Sequence, residues 1–176
     1  EGIDFLLAIG GGSVIDTAKA IGIGALYDGD VWDYFLRTKN PTVMMPVGVI
    51  VTIAASGSEG SSSCVLNNDA LKVKSACNND CIRPRFAIMN PELTYSLPAY
   101  QTACGVVDIM MHTHERYFTP VQDNEFTDEF CEGLLRTMIK LGPKAISDPT
   151  NYNVRAQIMW AGVMSHNNTV GVGRIQ

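Results

Sequence analysis

The segment from Phe5 to Gly22 limits the possible folds of this chain more than any other stretch. It opens with an uninterrupted apolar run, Phe5–Ile9 (FLLAI), which is typical of a strand buried on both faces of a parallel sheet. Three glycines and Ser13 follow at once, and Val14 to Gly22 (VIDTAKAIG) has the spacing of a helix. A strand, a glycine turn and a helix in this order predict an α/β fold.

The glycine turn has two interpretations. Backbone N–H groups at a helix N-terminus bind phosphate, and glycines without a Cβ let a pyrophosphate approach closely. The same glycines can instead form only a tight structural turn. The pattern is neither GxGxxG nor a Walker loop, because no Gly-Lys-Ser/Thr follows. With the helix beginning near Val14, Asp16 would lie in its first turn, where a carboxylate suits the helix dipole with or without a ligand.

Further strands are predicted at Val47–Ile53 and Phe86–Met89, with a short one at Cys64–Asn67 and a short helix around Val31–Phe35. A serine-rich loop, residues 54–63 (AASGSEGSSS), follows the second of the long strands. In open α/β folds, ligands bind at this carboxyl edge of the sheet. The alternative is a flexible linker. The stretch from Asn67 to Pro84 carries Lys72 and Lys74, either of which could reach an anion or be merely solvated.

The composition changes after Leu97, because no strand pattern appears from Pro98 onward. Helices are predicted at Pro98–Phe118, Glu125–Leu141 and Asn153–Asn167, the second ended by Gly142-Pro143. The sequence therefore predicts two domains, an α/β domain at 1–97 and an all-α domain at 98–176.

Asp108 and His112 are four positions apart in the first of these helices, so both side chains leave the same helix face. A carboxylate and an imidazole held this way can form half of a divalent-metal site. They can equally form a surface hydrogen bond with no ligand.

Composition excludes several classes of partner. The 176 residues carry a formal net charge of −5, which argues against nucleic acid and anionic membrane surfaces. No apolar run is long enough to cross a membrane and no secretion leader is visible. The five cysteines form no CxxC motif, so we expect reduced thiols in a cytoplasmic protein. The chain begins without Met, and we expect it to be a piece of a longer protein.

Four stretches together resemble the iron-containing (group III) alcohol dehydrogenases, and within them the butanol dehydrogenase-like branch. They are GGGSVIDTAKAI at Gly10–Ile21, TIAASGSE at Thr52–Glu59, AIMNPELTYSLP at Ala87–Pro98 and ACGVVDIMMHTHE at Ala103–Glu115. The resemblance extends over all 176 residues. It implies a dehydroquinate synthase-like fold, here a partial Rossmann-like nucleotide domain followed by part of a helical metal-binding domain.

The resemblance also implies a metal site, because one Asp and three His bind a single divalent ion in this family, usually iron or zinc. Asp108 and His112 match the first two ligands. The other two histidines lie beyond Gln176 in the family, and neither His114 nor His166 occupies a ligand position. We expect His166 to be a packed or hydrogen-bonded polar residue.

The cofactor implied by the resemblance is NAD or NADP, and the choice between them stays open. Gly11, Gly12 and Ser13 match the pyrophosphate loop, and Asp16 matches a helix position close to it. Thr52 and Ser56 match the Ser/Thr-rich loop. Lys74 matches the cofactor-contacting lysine, and Leu93 falls near the same nucleotide pocket.

The implied activity is reversible hydride transfer between a primary alcohol and NAD(P), with an alcohol or aldehyde as small-molecule partner and a homodimer as the full-length form. Two alternatives stay open. One is a sister glycerol-type dehydrogenase, and the other is a truncated chain that retains partial nucleotide binding without catalysis.

Overall fold

A computed structural model describes residues 2–173, which form two compact units. The sheet unit holds the described residues up to Val51 together with Ser58–Ile88. The helical unit holds a short connector, Thr52–Gly57, together with the described residues from Met89 onward. The predicted division at residue 97 into two domains stays a prediction.

The sheet unit is built on three parallel strands, with Val47–Val51 paired between Leu6–Gly10 and Phe86–Ile88. These are β1 (Leu6–Gly10), β2 (Val47–Val51) and β5 (Phe86–Ile88), and helix α1 (Gly12–Gly24) packs on β1 and β2. The predicted strands and the helix after the glycine turn are confirmed apart from their ends.

Strand β1 differs from its prediction in burial. Ala8 and Gly10 are buried, but Leu7 and Ile9 are 49% and 58% exposed. The prediction that this strand is buried on both faces is therefore wrong for residues 2–173. Helix α1 covers one face of β1, and the side chains on its other face remain in contact with solvent.

An antiparallel hairpin of β3 (Ser63–Asn68) and β4 (Val73–Asn78) completes the sheet unit, with the short helix α2 (Trp32–Phe35) between α1 and β2. Strand β4 is not among the strands that the sequence predicts. Most β4 side chains are exposed or half-buried, so the strand lacks an apolar pattern and forms through its pairing with β3.

The helical unit contains α3 (Ala99–Tyr117), α4 (Glu125–Ser147) and α5 (Tyr152–His166). From Pro98 onward the described residues contain no strand, as predicted. The three helices and a final 3₁₀ turn (Thr169–Gly171) enclose one apolar core, formed by Val106, Ile109, Cys131, Leu134, Met138, Leu141, Ala145, Val154, Ile158 and Val170.

Helix α4 does not end at Gly142-Pro143, so that prediction is wrong. Gly142 lies against Val106 and Ala145 is fully buried. This packing stabilises the helix beyond Pro143. Pro143 removes one backbone hydrogen bond and costs about 3 kcal/mol in an isolated helix. Packing of the last turn into the core outweighs that cost.

All five cysteines are free thiols, in agreement with the prediction. Cys64 and Cys77 are buried and directly opposite each other on β3 and β4, Cys131 is buried in α4, and Cys104 is exposed on α3. No helix within residues 2–173 is long and apolar enough to cross a membrane.

Candidate functional site

The N-terminus of α1 follows directly on β1. Gly11 is the N-cap residue in an extended conformation (φ −94°, ψ −167°), and its carbonyl accepts from the N–H groups of Val14 and Ile15, both at 3.1 Å. No side chain caps this end of the helix. The first amides, at Gly12 and Ser13, are therefore placed to meet solvent or an anion.

Asp16 lies in the second turn of α1, because the helix begins at Gly12 and not near Val14. The prediction of a first-turn carboxylate is wrong. Its Oδ1 accepts from the Ser58 hydroxyl at 2.5 Å, and its Oδ2 accepts from the Val65 N–H at 3.0 Å. Burial raises the pKa of Asp16, while these two hydrogen bonds and nearby Lys19 act to lower it.

Lys72 and Lys74 occupy different settings. Lys72 lies in the hairpin turn with a positive φ of 52°, next to Leu71, whose N–H donates to Asn68 Oδ1 at 3.0 Å. Lys74 lies on β4 opposite Asn67 and is exposed. Its side chain can reach a ligand in solution, and its predicted contact with the cofactor stays a prediction.

The connector carries Thr52 and Ser56 and packs closely on two helices of the helical unit. Gly57 has a φ of +62°, and a Cβ there would lie 2.6 Å from the Gly162 carbonyl oxygen. A Cβ on Gly105 would overlap the carbonyl oxygen of Ala54. Glycine at 57 and at 105 therefore lets the connector approach α5 and α3.

The predicted cofactor residues are divided between the units. Thr52, Ser56 and Leu93 belong to the helical unit, where Leu93 lies in a 3₁₀ turn (Pro91–Thr94) and is 42% exposed. The sheet unit contains the remaining positions, Gly11, Gly12, Ser13, Asp16 and Lys74.

The Asp108–His112 pair lies on α3, one helical turn from Gly105. Asp108 Oδ2 and His112 Nε2 are 3.7 Å apart. One cation can bridge these atoms, because bonds of about 2.1 Å allow donor separations up to about 4.2 Å. Within residues 2–173 no group of three His, Cys, Asp or Glu side chains is placed to hold a metal. The 3.7 Å separation thus lets Asp108 and His112 serve as two ligands of a divalent ion.

Two further side chains lie beside the imidazole of His112. Its Nδ1 lies 3.8 Å from Glu115 Oε2, and its ring meets the ring of His166 edge-on, with centroids 4.3 Å apart at 70°. His114 instead stacks on Phe118. Metal-binding histidines are commonly oriented through their second ring nitrogen. No spacing in the sequence links His166 to His112, since the two lie on different helices.

Comparison with known proteins identifies the family. Residues 1–91 match the family described as iron-containing alcohol dehydrogenase, and residues 102–173 match the C-terminal part of the Fe-containing alcohol dehydrogenase family. The chain belongs to the iron-containing alcohol dehydrogenase family.

Two curated relatives are similar to this chain over nearly its whole length. It is 42% identical over 173 residues to a probable NADH-dependent butanol dehydrogenase 1 of Bacillus subtilis, covering 98% of this chain and 45% of the relative. It is 40% identical over 175 residues to the NADPH-dependent aldehyde reductase YqhD of Escherichia coli, covering 97% and 45%.

A solved structure, the NADH-dependent butanol dehydrogenase A of Thermotoga maritima, superposes with a TM-score of 0.95 at 35% identity, over 98% of this chain and 43% of that one. The predicted fold, an α/β region followed by a helical region, is thereby confirmed. The chain spans slightly less than half the length of these relatives.

Proposed function

We propose that this chain is part of a metal-dependent, NAD(P)-linked oxidoreductase that interconverts primary alcohols and aldehydes. The observation that carries the proposal is the Asp108–His112 pair, whose facing donor atoms are 3.7 Å apart on α3 of an iron-containing alcohol dehydrogenase chain. The names of the relatives, butanol dehydrogenase and aldehyde reductase, support the substrate class.

Asp108 and His112 would hold Fe²⁺ or Zn²⁺ through a carboxylate oxygen and Nε2. A divalent ion bound by these residues would supply Lewis-acid stabilisation of an alkoxide or carbonyl oxygen. The ring of His166 packs edge-on against the His112 imidazole, and Glu115 Oε2 lies 3.8 Å from its Nδ1. A fixed imidazole binds a cation with less loss of side-chain entropy than a mobile one.

The nucleotide would be bound mainly by backbone and hydroxyl groups. The nicotinamide ring supplies the hydride acceptor or donor. The amides at Gly11, Gly12 and Ser13 would bind the pyrophosphate at the uncapped end of α1. The hydroxyls of Thr52 and Ser56, the exposed ammonium of Lys74, and Leu93 would contact the rest of the cofactor, while Asp16 supports the site from the helix interior.

A second candidate is dinucleotide binding without turnover by the 176-residue chain. It is favoured because no group of three His, Cys, Asp or Glu side chains among residues 2–173 is placed to hold a metal. Metal affinity depends on the number of ligands and on their ordered surroundings.

Zinc titration calorimetry on four chains tests the metal pair. We expect Asp108→Asn and His112→Gln each to weaken binding by about tenfold or more. His114→Gln is the matched control, since this imidazole lies on the same helix but stacks on Phe118, and it should bind zinc as the parent does. Equal affinity in all four chains would contradict the proposed site.

An assay with butyraldehyde decides between the two candidates. NADH and NADPH are supplied separately, with Fe²⁺ or Zn²⁺ added, and coenzyme oxidation is followed by absorbance. Turnover that Asp108→Asn abolishes supports the oxidoreductase. Dinucleotide binding without turnover under all conditions supports the second candidate.

A further inference from the structure

The side chain of Lys19 is fully buried inside the sheet unit. From α1, its ammonium donates to the Ser61 carbonyl at 3.0 Å, the Ser61 hydroxyl at 3.2 Å and the Ser63 carbonyl at 2.7 Å. An ammonium group has three N–H donors. All three are used within the chain, so Lys19 has no donor left for a ligand.

The hydroxyl of Ser61 extends this arrangement along the backbone. It donates to the Ser63 carbonyl at 3.2 Å and accepts from the Ser63 N–H at 3.3 Å, as well as from Lys19. A hydroxyl offers one donor and two acceptor positions. Each is occupied, which fixes the turn from Ser61 to Ser63 in one conformation.

Three further hydrogen bonds hold the two ends and the middle of the same segment. Asp16 accepts from the Ser58 hydroxyl and from the Val65 N–H, which mark its beginning and end. Arg83 Nη1 donates to the Gly60 carbonyl at 2.5 Å. Residues 58–65 are therefore anchored at close intervals, and α1 supplies two of the three anchoring side chains.

We propose that Asp16 and Lys19 are positioning residues that tie residues 58–65 to α1. The inference rests on the proposed function, because the segment continues directly from Ser56 and α1 begins at the proposed pyrophosphate site. Helix α1 then carries the proposed pyrophosphate site at its N-terminus and also holds residues 58–65 of the same unit. Asp16 and Lys19 act on the cofactor through the backbone that they hold, and neither has to contact it.

Amide hydrogen exchange without any ligand tests the anchoring itself. In Lys19→Met we expect the amides of residues 58–65 to exchange about tenfold faster, because buried carbonyls lose their donor. Those of α3 to α5 should exchange as in the parent chain. Lys39→Met, which replaces an exposed lysine of the same unit, is the matched control and should change nothing. Parent-like exchange of 58–65 in Lys19→Met would overturn the inference.

Ser61→Ala and Ser61→Thr give a milder second comparison should Lys19→Met fail to fold. The alanine variant removes only the hydroxyl, and we expect exchange of residues 58–65 to rise about threefold. The threonine variant keeps a hydroxyl and should restore most of the protection. Equal exchange in the parent and Ser61→Ala would likewise overturn the inference.

Dinucleotide affinity separates this inference from the proposed function. NADH and NADPH binding is measured by fluorescence at a temperature where every variant is fully folded. We expect Ser61→Ala and Asp16→Asn to raise Kd several-fold, to an extent set by the lost hydrogen bonds, with Ser61→Thr close to the parent. A parent chain that binds neither coenzyme contradicts the proposed function. Unchanged Kd in the variants of a binding-competent chain contradicts the positioning role alone.

Discussion

In the sheet unit a buried lysine is bound by the backbone of a loop, whereas in the helical unit the three helices enclose a continuous apolar cluster. Lys19 and Ser61 are buried in the first, and both are hydrogen-bonded to the backbone of Ser63. Ile109 and Met138 are fully buried in the second, within a continuous apolar cluster. Directional hydrogen bonds specify the path of a loop. Apolar packing fixes one face of a helix, while polar side chains such as Asp108 and His112 are half-buried on another.

The largest expected effect on stability comes from removing one buried side chain from the apolar core of the helical unit. Met138→Ala should lower the free energy of unfolding by about 3 kcal/mol, since it removes a fully buried side chain. Ile139→Ala, next to it on the same helix but 63% exposed, should change stability by less than about 0.5 kcal/mol.

The two tryptophans allow this loss to be assigned to a unit, because Trp32 lies in the sheet unit and Trp160 in the helical unit. Urea unfolding is followed in Trp32→Phe and Trp160→Phe backgrounds, each leaving one reporter. We expect Met138→Ala to shift the Trp160 transition more than the Trp32 transition. Equal shifts of the two transitions would show that the loss of stability is not concentrated in the helical unit.

A smaller effect is expected where the connector meets α3. Gly105→Ala places a Cβ against the Ala54 carbonyl oxygen and should destabilise by about 2 kcal/mol. Gly133→Ala meets no atom within 4 Å and should stabilise α4 by up to about 1 kcal/mol. Thermal unfolding of both variants checks the opposite signs. A stabilised Gly105→Ala would show that the connector does not press on α3.

The smallest effect concerns the buried charge of the sheet unit. Burial lowers the pKa of Lys19 to about 8 from 10.5, against the opposing influence of Asp16, Cys64 and Glu59, while Arg83 lowers it further. Between these values the folded chain binds fewer protons than the unfolded chain, so the Lys19 contribution makes stability rise with pH.

Urea unfolding of the parent and Lys19→Met at pH 8 and pH 9.5 measures this contribution. The parent should gain about 1.5 kcal/mol relative to the variant over that interval. Subtracting the variant removes the titration of the other groups. A difference that stays constant with pH would mean that the folded and unfolded chains hold the Lys19 proton equally.

Patterns of apolar residues predicted the parallel strands and the helices, because these elements bury repeated faces of their own sequence. They failed at β4, which depends on its partner strand, and at Pro143, where packing of the last turn of α4 into the core is decisive. The candidate site was predictable where four positions on one helix bring Asp108 and His112 together. The contacts of Lys19 and His166 could not be predicted, since their partners lie on distant elements.

The distribution of thiols gives each unit its own reporter of local opening. Cys64 and Cys77 are buried in the hairpin and Cys131 in the helical core, while Cys104 is exposed. An alkylating reagent modifies a buried thiol only when the structure around it unfolds locally. The rate of modification of exposed Cys104 serves as an internal reference for the reagent. Peptide mass analysis of a single time course therefore yields two opening rates from the unaltered chain.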